Sequence, residues 1–554
     1  MNGDFYERKP WLARYSAGLP DVINPAFDSV LAAFQVAVES TPDLPLVQYF
    51  DGCLTAKELN GAADRLACAL IAKGFEPGDR LGLFLQNNPA FVIGQLACWK
   101  AGGVAVAINP MNKARELTFI LNDSGARALL CLDSLYVEVV KDTLAQDPAQ
   151  VSIVITTSML DGQSLNDRRI LDDAERRPTP SGVLDLREIT ESHEGSGKFS
   201  TVWPSVNDVA MLTYTSGTTG KPKGVMNTHG NLIFNAQAYR DWVGLTSQDK
   251  ILGIAPLFHV TGAVAHVALS LLTSCPLILA HRFHPDVILD VIRQHRPTFT
   301  IGAITAFTSL MNTPGSTRDD FSCFRAVYTG GAPMSPATAE AFEAFSGIYL
   351  HNAFGMTETC SPTHLVPFGQ KAPVDKSSGA ISIGVPIFNT SVRILDDENR
   401  TVPVGEIGEI VDSGPQVMRG YWGQPHATLD ALEDGWLRTG DVGFMDKDGW
   451  FYLVDRKKDM INVSGYKVWP REVEDVLYAH PAVHEAIVVG VPDGYRGETV
   501  KAVVSLKPGA TASEKDLIAY CKSNLAAYKY PRILELLPEL PKSETGKLLR
   551  RSVR

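Results

Sequence analysis

The densest concentration of chemistry-bearing residues is Thr215-Ser216-Gly217-Thr218-Thr219-Gly220-Lys221-Pro222-Lys223-Gly224. Each residue type in it answers a need of a bound polyphosphate. Glycines let successive backbone N–H groups converge on phosphate oxygens, hydroxyls add donors, and lysines neutralise charge. The run is not a Walker A loop, because Pro222 stands where that motif has its second glycine. Kinase-like and motor NTPases of that class are thereby excluded.

A cradle of this kind needs a strand to present it, and the apolar residues 209–214 predict one. Upstream, residues 59–73 carry apolar side chains at helical spacing, with Gly74 placed to cap the end. Residues 80–85, 104–109 and 128–132 read as strands, and 89–101 and 114–122 as helices. Repeated βα units of this sort imply an α/β layer architecture. Between 163 and 205 the pattern fades into charges, prolines and glycines, which predicts a surface excursion. Residues 260–280 lack Asp, Glu, Lys and Arg and are about as long as a membrane span. They include Gly262, His266, Ser270 and Pro276, so a buried helix to about Thr273 and then a strand over 276–280 is expected. The charged run Asp455-Arg456-Lys457-Lys458-Asp459 separates two apolar segments. Beyond it the chain has its own pattern: helices over 473–478 and 514–525, strands over 483–491 and 500–506. The fold expected is therefore α/β: a large multi-sheet N-terminal domain, residues 1–457, and a small α+β C-terminal domain, residues 458–554.

At 554 residues the chain exceeds one ordinary domain, and its 45% hydrophobic content supplies a large core. A formal charge of −11 argues against a general nucleic-acid binder and leaves room for a local basic patch that takes a phosphorylated ligand. Eight scattered cysteines without a C-x-x-C pair read as free thiols in a reducing cytoplasm. The first ten residues mix acid, base and proline and do not read as a signal peptide. Ser552-Val553-Arg554 is no targeting tripeptide. A cytoplasmic protein without a membrane span is expected; peripheral membrane association and a homodimer stay open.

The run 215–224 closely resembles the phosphate loop of the adenylate-forming superfamily, which includes acyl-CoA synthetases, peptide-synthetase adenylation domains and beetle luciferases. Further motifs follow in that family's order. Thr329-Gly330-Gly331-Ala332-Pro333-Met334 resembles its adenine-wall turn, and Asn352-Ala353-Phe354-Gly355-Met356-Thr357-Glu358-Thr359 its nucleotide and metal motif. Gly435-Trp436-Leu437-Arg438-Thr439-Gly440-Asp441 and Asp455-Arg456 resemble its ribose-binding segments. Pro541-Lys542-Ser543-Glu544-Thr545-Gly546-Lys547-Leu548-Leu549-Arg550-Arg551 resembles its catalytic-lysine motif.

The resemblance implies roles that the residue chemistry fits. Glu358 would offer a hard oxygen to Mg2+ bridging phosphates, and Thr357 a donor to the α-phosphate. Asn352, Phe354, Gly355 and Met356 would line the nucleotide, with Gly331, Ala332 and Pro333 walling the adenine. Asp441 would accept the ribose hydroxyls, with Arg456 alongside. Lys547 would neutralise charge developing on the α-phosphate. Pro256-Leu257-Phe258-His259-Val260-Thr261-Gly262 resembles the mouth of the family's acyl pocket, making His259 a gate or carboxylate-orienting residue. Val260, Thr261, Ala265 and Gly330 would line that pocket. In the family the small domain rotates about a hinge after adenylation; the matching position is Lys458. Gly465, Tyr466 and Lys467 would then face coenzyme A, Gly465 admitting the pantetheine chain and Lys467 meeting a phosphate or solvent.

The expected reaction is ATP-dependent activation of a hydrophobic carboxylic acid as acyl-AMP, with release of pyrophosphate, then transfer to CoA. The stretch Asn109-Pro110-Met111 to Ala126 looks like fatty acyl-CoA ligases; aryl, terpenoid and steroid acids stay open. Two alternatives remain at this point. One hands the adenylate to a carrier-protein thiol or an amine, and the other binds nucleotide without catalysis.

Overall fold

The computed structural model describes residues 3–146, 151–171, 175–192, 200–215, 221–332, 334–376, 379–456, 459–464, 466–542 and 548–554. A seven-stranded sheet has the order Leu184–Asp185, Ile153–Thr157, Ala128–Leu132, Arg80–Phe84, Val104–Ile108, Val209–Tyr214, Gly224–Thr228. Its neighbours pair in parallel except the last two, which are antiparallel. Antiparallel neighbours can be joined by a short connection, whereas parallel ones need a crossover. The phosphate-loop run is that short connection. Val104–Ile108 and Ala128–Leu132 are buried at every residue, as befits parallel strands covered on both faces.

A nine-stranded sheet carries the other half of the site. Six of its strands run parallel in the order Leu350–Met356, Ala326–Gly330, Phe299–Gly302, Ile251–Leu252, Leu277–Leu279, Pro45–Tyr49. In such sheets ligands sit outside the carboxyl ends of the strands. Here those ends deliver the turn after Gly330 and the turn that carries Glu358.

Helix starts follow local chemistry. Ala56–Ala72 opens with a reciprocal Thr55–Glu58 capping box, and Pro89–Lys100 with Asn88 as N-cap and proline in the first turn. The uncharged segment 260–280 forms helical turns over Val260–Gly262, a π-helical stretch Ala263–Ala268, helix Leu269–Thr273 and strand Leu277–Leu279. The π-helical stretch was not legible in the sequence. Among the described residues no helix is long and apolar enough to cross a membrane. The region expected as a plain surface excursion holds short helices, Arg168–Leu171 and Leu186–Glu191, and the edge strand Leu184–Asp185. Arg176 ties the edge strand to the turn after Ile153–Thr157, paired with Asp185 at 2.7 Å and Asp161 at 3.0 Å.

A third, antiparallel sheet follows, built from Ser391–Leu395, Gly408–Ser413, Leu432–Glu433, Trp436–Met445 and Phe451–Arg456. The smaller C-terminal α+β unit has its own five-stranded sheet, with Pro470–Tyr478 and Glu514–Asn524 as its helices. Its core, including Val473, Leu477, Val488, Val504 and Leu517, is separate from the main one. Its hairpin Ile461–Val463 and Tyr466–Val468, and the strand Ile533–Leu536, are too short to show as periodicity in the sequence.

Candidate active site

The base of the phosphate loop is closed by its own ends: the Thr215 N–H donates to the Lys223 carbonyl at 3.0 Å. Ser216, Gly217, Thr218, Thr219 and Gly220 lie outside the described residues. Tyr214, at the end of the entering strand, donates its hydroxyl to Asp123 Oδ2 at 2.7 Å and fixes the loop against Ala114–Ser124. Lys221 Nζ lies 5.9 Å from the centre of the Phe119 ring, and Lys223 Nζ 4.6 Å from that of Tyr421.

Glu358 is buried, 8% exposed, in a short 3-10 turn at the end of Leu350–Met356. Asparagines of the neighbouring elements hold the carbonyls around it. Asn227 donates to Thr357 O at 3.1 Å, and Asn235 to Thr359 O at 3.1 Å and Cys360 O at 2.6 Å. Thr359 Oγ1 accepts the Met356 N–H at 2.9 Å. Cys360 and Ser361 follow with φ of 51° and 92°, a left-handed backbone that costs about 1–3 kcal/mol per non-glycine residue. A Cβ on Gly355 would stand 1.9 Å from Ser361 O, so this fold of the turn requires glycine there. Tyr421 donates to Glu358 Oε1 at 2.8 Å. Neither Tyr421 nor the asparagines were singled out in the sequence. The one local signal for Tyr421 is an aromatic pair, Tyr421-Trp422, flanked by Gly420 and Gly423.

Other nucleotide candidates divide. Asn352 spends its amide on Ser382 O at 3.1 Å and acts as a strut. Phe354 is buried with its ring edge-on to His364 at 5.5 Å, so its burial matches a core side chain more than an open stacking face. Gly331, at φ 80°, is exposed beside partly buried Ala332; Pro333 lies outside the described residues. Asp441 is 3% exposed and receives Arg456 Nε at 3.1 Å, the two residues facing each other across paired strands.

Behind Asp441 lies a fully buried carboxylate, Asp412, on Gly408–Ser413. Burial pushes its pKa up to about 7, the Thr363 hydroxyl opposing and the charge of Asp441 adding to the rise. Its oxygens lack a well-formed hydrogen bond among the described residues. Unfolded, Asp412 would ionise near pH 4. The destabilisation is thus absent below about pH 4, grows as pH rises towards about 7, and is constant above it. From pH 5.5 to 8.5 the wild type should lose on the order of 2 kcal/mol that Asp412→Asn does not lose. Parallel thermal melts check this, and equal pH dependence in the two proteins would refute it.

On the acyl side, His259 caps the turn Val260–Gly262, its Nδ1 accepting the Thr261 N–H at 3.4 Å. Thr261 and Gly330 are partly buried, while Val260 and Ala265 are packed into the main core. A Cβ on Gly262 would meet Pro256 O at 2.1 Å, so the segment is a tight loop closed on itself. A cavity of about 780 Å³ lies elsewhere, lined by Asp133, Glu138, Arg177, His281 and others, and contains none of the predicted site residues. Volume alone does not locate the chemistry.

In the small unit Tyr466 is exposed and stacks on Tyr528 at 4.8 Å, and Lys467 pairs with Asp397 at 3.5 Å. Lys458, Gly465 and Lys547 lie outside the described residues. The segments flanking Lys547 are anchored: Lys542 to Glu485 at 2.9 Å, and Arg550 to Glu474 at 2.7 Å and Asp455 at 2.8 Å.

No group of three or more His, Cys, Asp or Glu among the described residues is placed to hold a metal. Magnesium is usually bound by one or two carboxylates together with substrate phosphates and water, so it requires no such group; Glu358 offers one buried carboxylate.

Residues 34–422 match the family described as AMP-binding enzyme, and residues 472–547 the AMP-binding enzyme C-terminal domain. A long-chain-fatty-acid–CoA ligase of Bacillus subtilis (strain 168) is 35% identical over 571 residues, covering 98% of this chain and 97% of the relative. A feruloyl-CoA synthase of Amycolatopsis sp is 36% identical over 515 residues, covering 93% and 96%. The solved structure of o-succinylbenzoate coenzyme A synthetase from Bacillus subtilis, in complex with ATP and magnesium ion, matches with a TM-score of 0.77. It is 31% identical and covers 94% of this chain and 98% of that one.

Proposed function

The chain belongs to the family of AMP-binding enzymes, and on that premise we propose that it is an AMP-forming acyl-CoA ligase acting on a hydrophobic carboxylic acid. One observation carries the reading. The phosphate-loop lysine Lys223 and the buried carboxylate Glu358 meet on the same tyrosine, where the carboxyl ends of strands from both large sheets converge.

In the first step a carboxylate oxygen of the acid attacks the α-phosphorus of ATP; the new P–O bond forms as the bond to pyrophosphate breaks. Lys221 and Lys223 neutralise phosphate charge, and Asp441 with Arg456 orients the ribose. Lys547 offsets the charge that develops as two anions approach. Glu358 would hold Mg2+, which supplies further neutralisation of the phosphates. In the second step the thiolate sulfur of CoA attacks the acyl carbonyl carbon and AMP leaves with the bonding pair. Lys467 can turn from Asp397 to a CoA phosphate at little cost, because an exposed pair contributes about 0–1 kcal/mol.

We place the domain boundary at 457/458 with Lys458 as the hinge; the separate core of the small unit supports this. Proline there restricts φ. Lys458→Pro should therefore spare acyl-AMP formation and depress thioester formation far more. Equal losses in both steps with an unchanged melt would remove the hinge from Lys458. Eight free cysteines suit a cytoplasmic setting, which we propose as its location.

The acid stays between aliphatic and aryl classes, because relatives named for both resemble the chain about equally. A panel of carboxylic acids scored by pyrophosphate release, with and without CoA, tests the assignment. Pyrophosphate on adenylation, with thioester and AMP only when CoA is present, is the expected result. Pyrophosphate release with neither thioester nor AMP when CoA is added would favour a carrier-protein or amine acceptor. No release with any acid would leave a nucleotide binder without catalysis.

A further inference from the structure

We propose that Tyr421 is a positioning residue for the polyphosphate site: its hydroxyl orients the Glu358 carboxylate while its ring seats Lys223. The proposal rests on the reading of Glu358 as the magnesium ligand.

The geometry is specific. Tyr421 Oη donates to Glu358 Oε1 at 2.8 Å, across 63 residues of sequence, and the residue is 8% exposed. Committing Oε1 to a hydroxyl leaves Oε2 as the oxygen with both lone pairs to offer a cation. A phenol ionises only near about pH 10, so the hydroxyl remains a donor throughout the working pH range. On the ring face sits Lys223 Nζ, 4.6 Å from the centroid, within cation–π range.

Backbone bonds set this side chain against both partners. The Met418 N–H donates to Glu358 O at 2.8 Å, tying the segment to the metal turn. The Trp422 N–H donates to Gly224 O at 2.8 Å and the Met226 N–H to Gly420 O at 2.9 Å, so the same segment lies along the strand leaving the phosphate loop. The Tyr421 N–H is itself held by Thr428 Oγ1 at 2.9 Å. The segment is thus a brace between the two halves of the site. Hydrogen bonds to metal-binding carboxylates commonly matter about 10–100-fold in metal affinity.

The bland account is that Tyr421 only packs with Val225, Met418 and Leu437. Tyr421→Phe keeps that packing and the ring and removes the hydroxyl alone. ATP binding is measured by calorimetry without acid substrate, at a series of Mg2+ concentrations and in EDTA, beside a thermal melt. Tyr421→Phe should raise the Mg2+ needed for half-maximal ATP binding about tenfold, leaving binding in EDTA and the melt unchanged. In a Glu358→Gln background the same change should add nothing, since the oriented carboxylate is gone. Tyr421→Leu should in addition weaken ATP binding in EDTA, because Lys223 loses its seat. If Glu358→Gln shifts the Mg2+ requirement but Tyr421→Phe does not, the positioning role is overturned, whatever the melt shows. If Tyr421→Leu matches Tyr421→Phe in EDTA, the seating of Lys223 is overturned. If Glu358→Gln itself leaves the Mg2+ requirement unmoved, the reading of Glu358 beneath the proposal is the part that fails.

Discussion

Lys547→Ala should slow acyl-AMP formation by a factor on the order of 10² or more, while thioester formation from supplied acyl-AMP proceeds at close to the wild-type rate. Attack on the α-phosphorus brings a carboxylate towards a polyphosphate, and negative charge grows on the non-bridging oxygens. A lysine placed there acts only while that charge is developing, so its loss falls on the first half-reaction. Thiolysis breaks a carbonyl–oxygen bond and expels AMP as a stable dianion, and needs no such cation. The tail carrying Lys547 is anchored by Lys542 on Glu485 and by Arg550 on Glu474 and Asp455, contacts that alanine at 547 leaves in place. The melt should therefore not move. Single-turnover pyrophosphate release, beside AMP release from synthetic acyl-AMP and CoA, makes the measurement. Near-normal adenylation, or equal losses in both halves, would defeat the role of Lys547.

Asp441→Ala should raise the KM for ATP on the order of 10²-fold with little change in kcat. Asp441 is 3% exposed and fixed by Arg456 at 3.1 Å, so under the proposed role it would meet the ribose hydroxyls already oriented. Hydrogen bonds to an ionised acceptor are about twice as strong as neutral ones. Because ground and transition states both retain the ribose, their loss appears in KM. Arg456, whose side chain is 36% exposed, can turn to solvent in the variant, so the fold should hold. A nucleotide control separates ribose recognition from general damage. Wild type should bind 2′-deoxy-ATP more weakly than ATP, and Asp441→Ala should bind the two nearly alike. If both proteins show the same ratio, Asp441 does not read the ribose.

What the sequence determined by itself lies within short windows. The apolar run before the hydroxyl-glycine-lysine segment predicts a strand over 209–214, and Val209–Tyr214 is that strand. Proline and asparagine at the start of Pro89–Lys100, and Thr55 with Glu58 at the start of Ala56–Ala72, set helix ends by bonds between near neighbours. Likewise each motif that resembles the adenylate-forming family is a contiguous run, so the family is legible without the fold.

The tertiary structure decided which of those residues have supports, and where the pattern misleads. Asn235 reaches the carbonyls of Thr359 and Cys360 from a helix more than a hundred residues earlier. Tyr421 reaches Glu358 only because its segment runs beside the strand leaving the phosphate loop. No periodicity encodes such contacts; they arise from the way separate elements pack. Phe354 and Ala265, which the motifs assign to the nucleotide and acyl sites, are both buried, a placement set by packing and not by any local pattern. Asp412 shows the same limit from the other side. An acidic residue in a strand reads as solvent-facing, but Gly408–Ser413 is covered so that its four middle residues are all buried, and the charge goes in with them. Local windows carry the motifs by which the family is recognised, while burial and long-range hydrogen bonding, which depend on the whole chain, specify how those motifs are held.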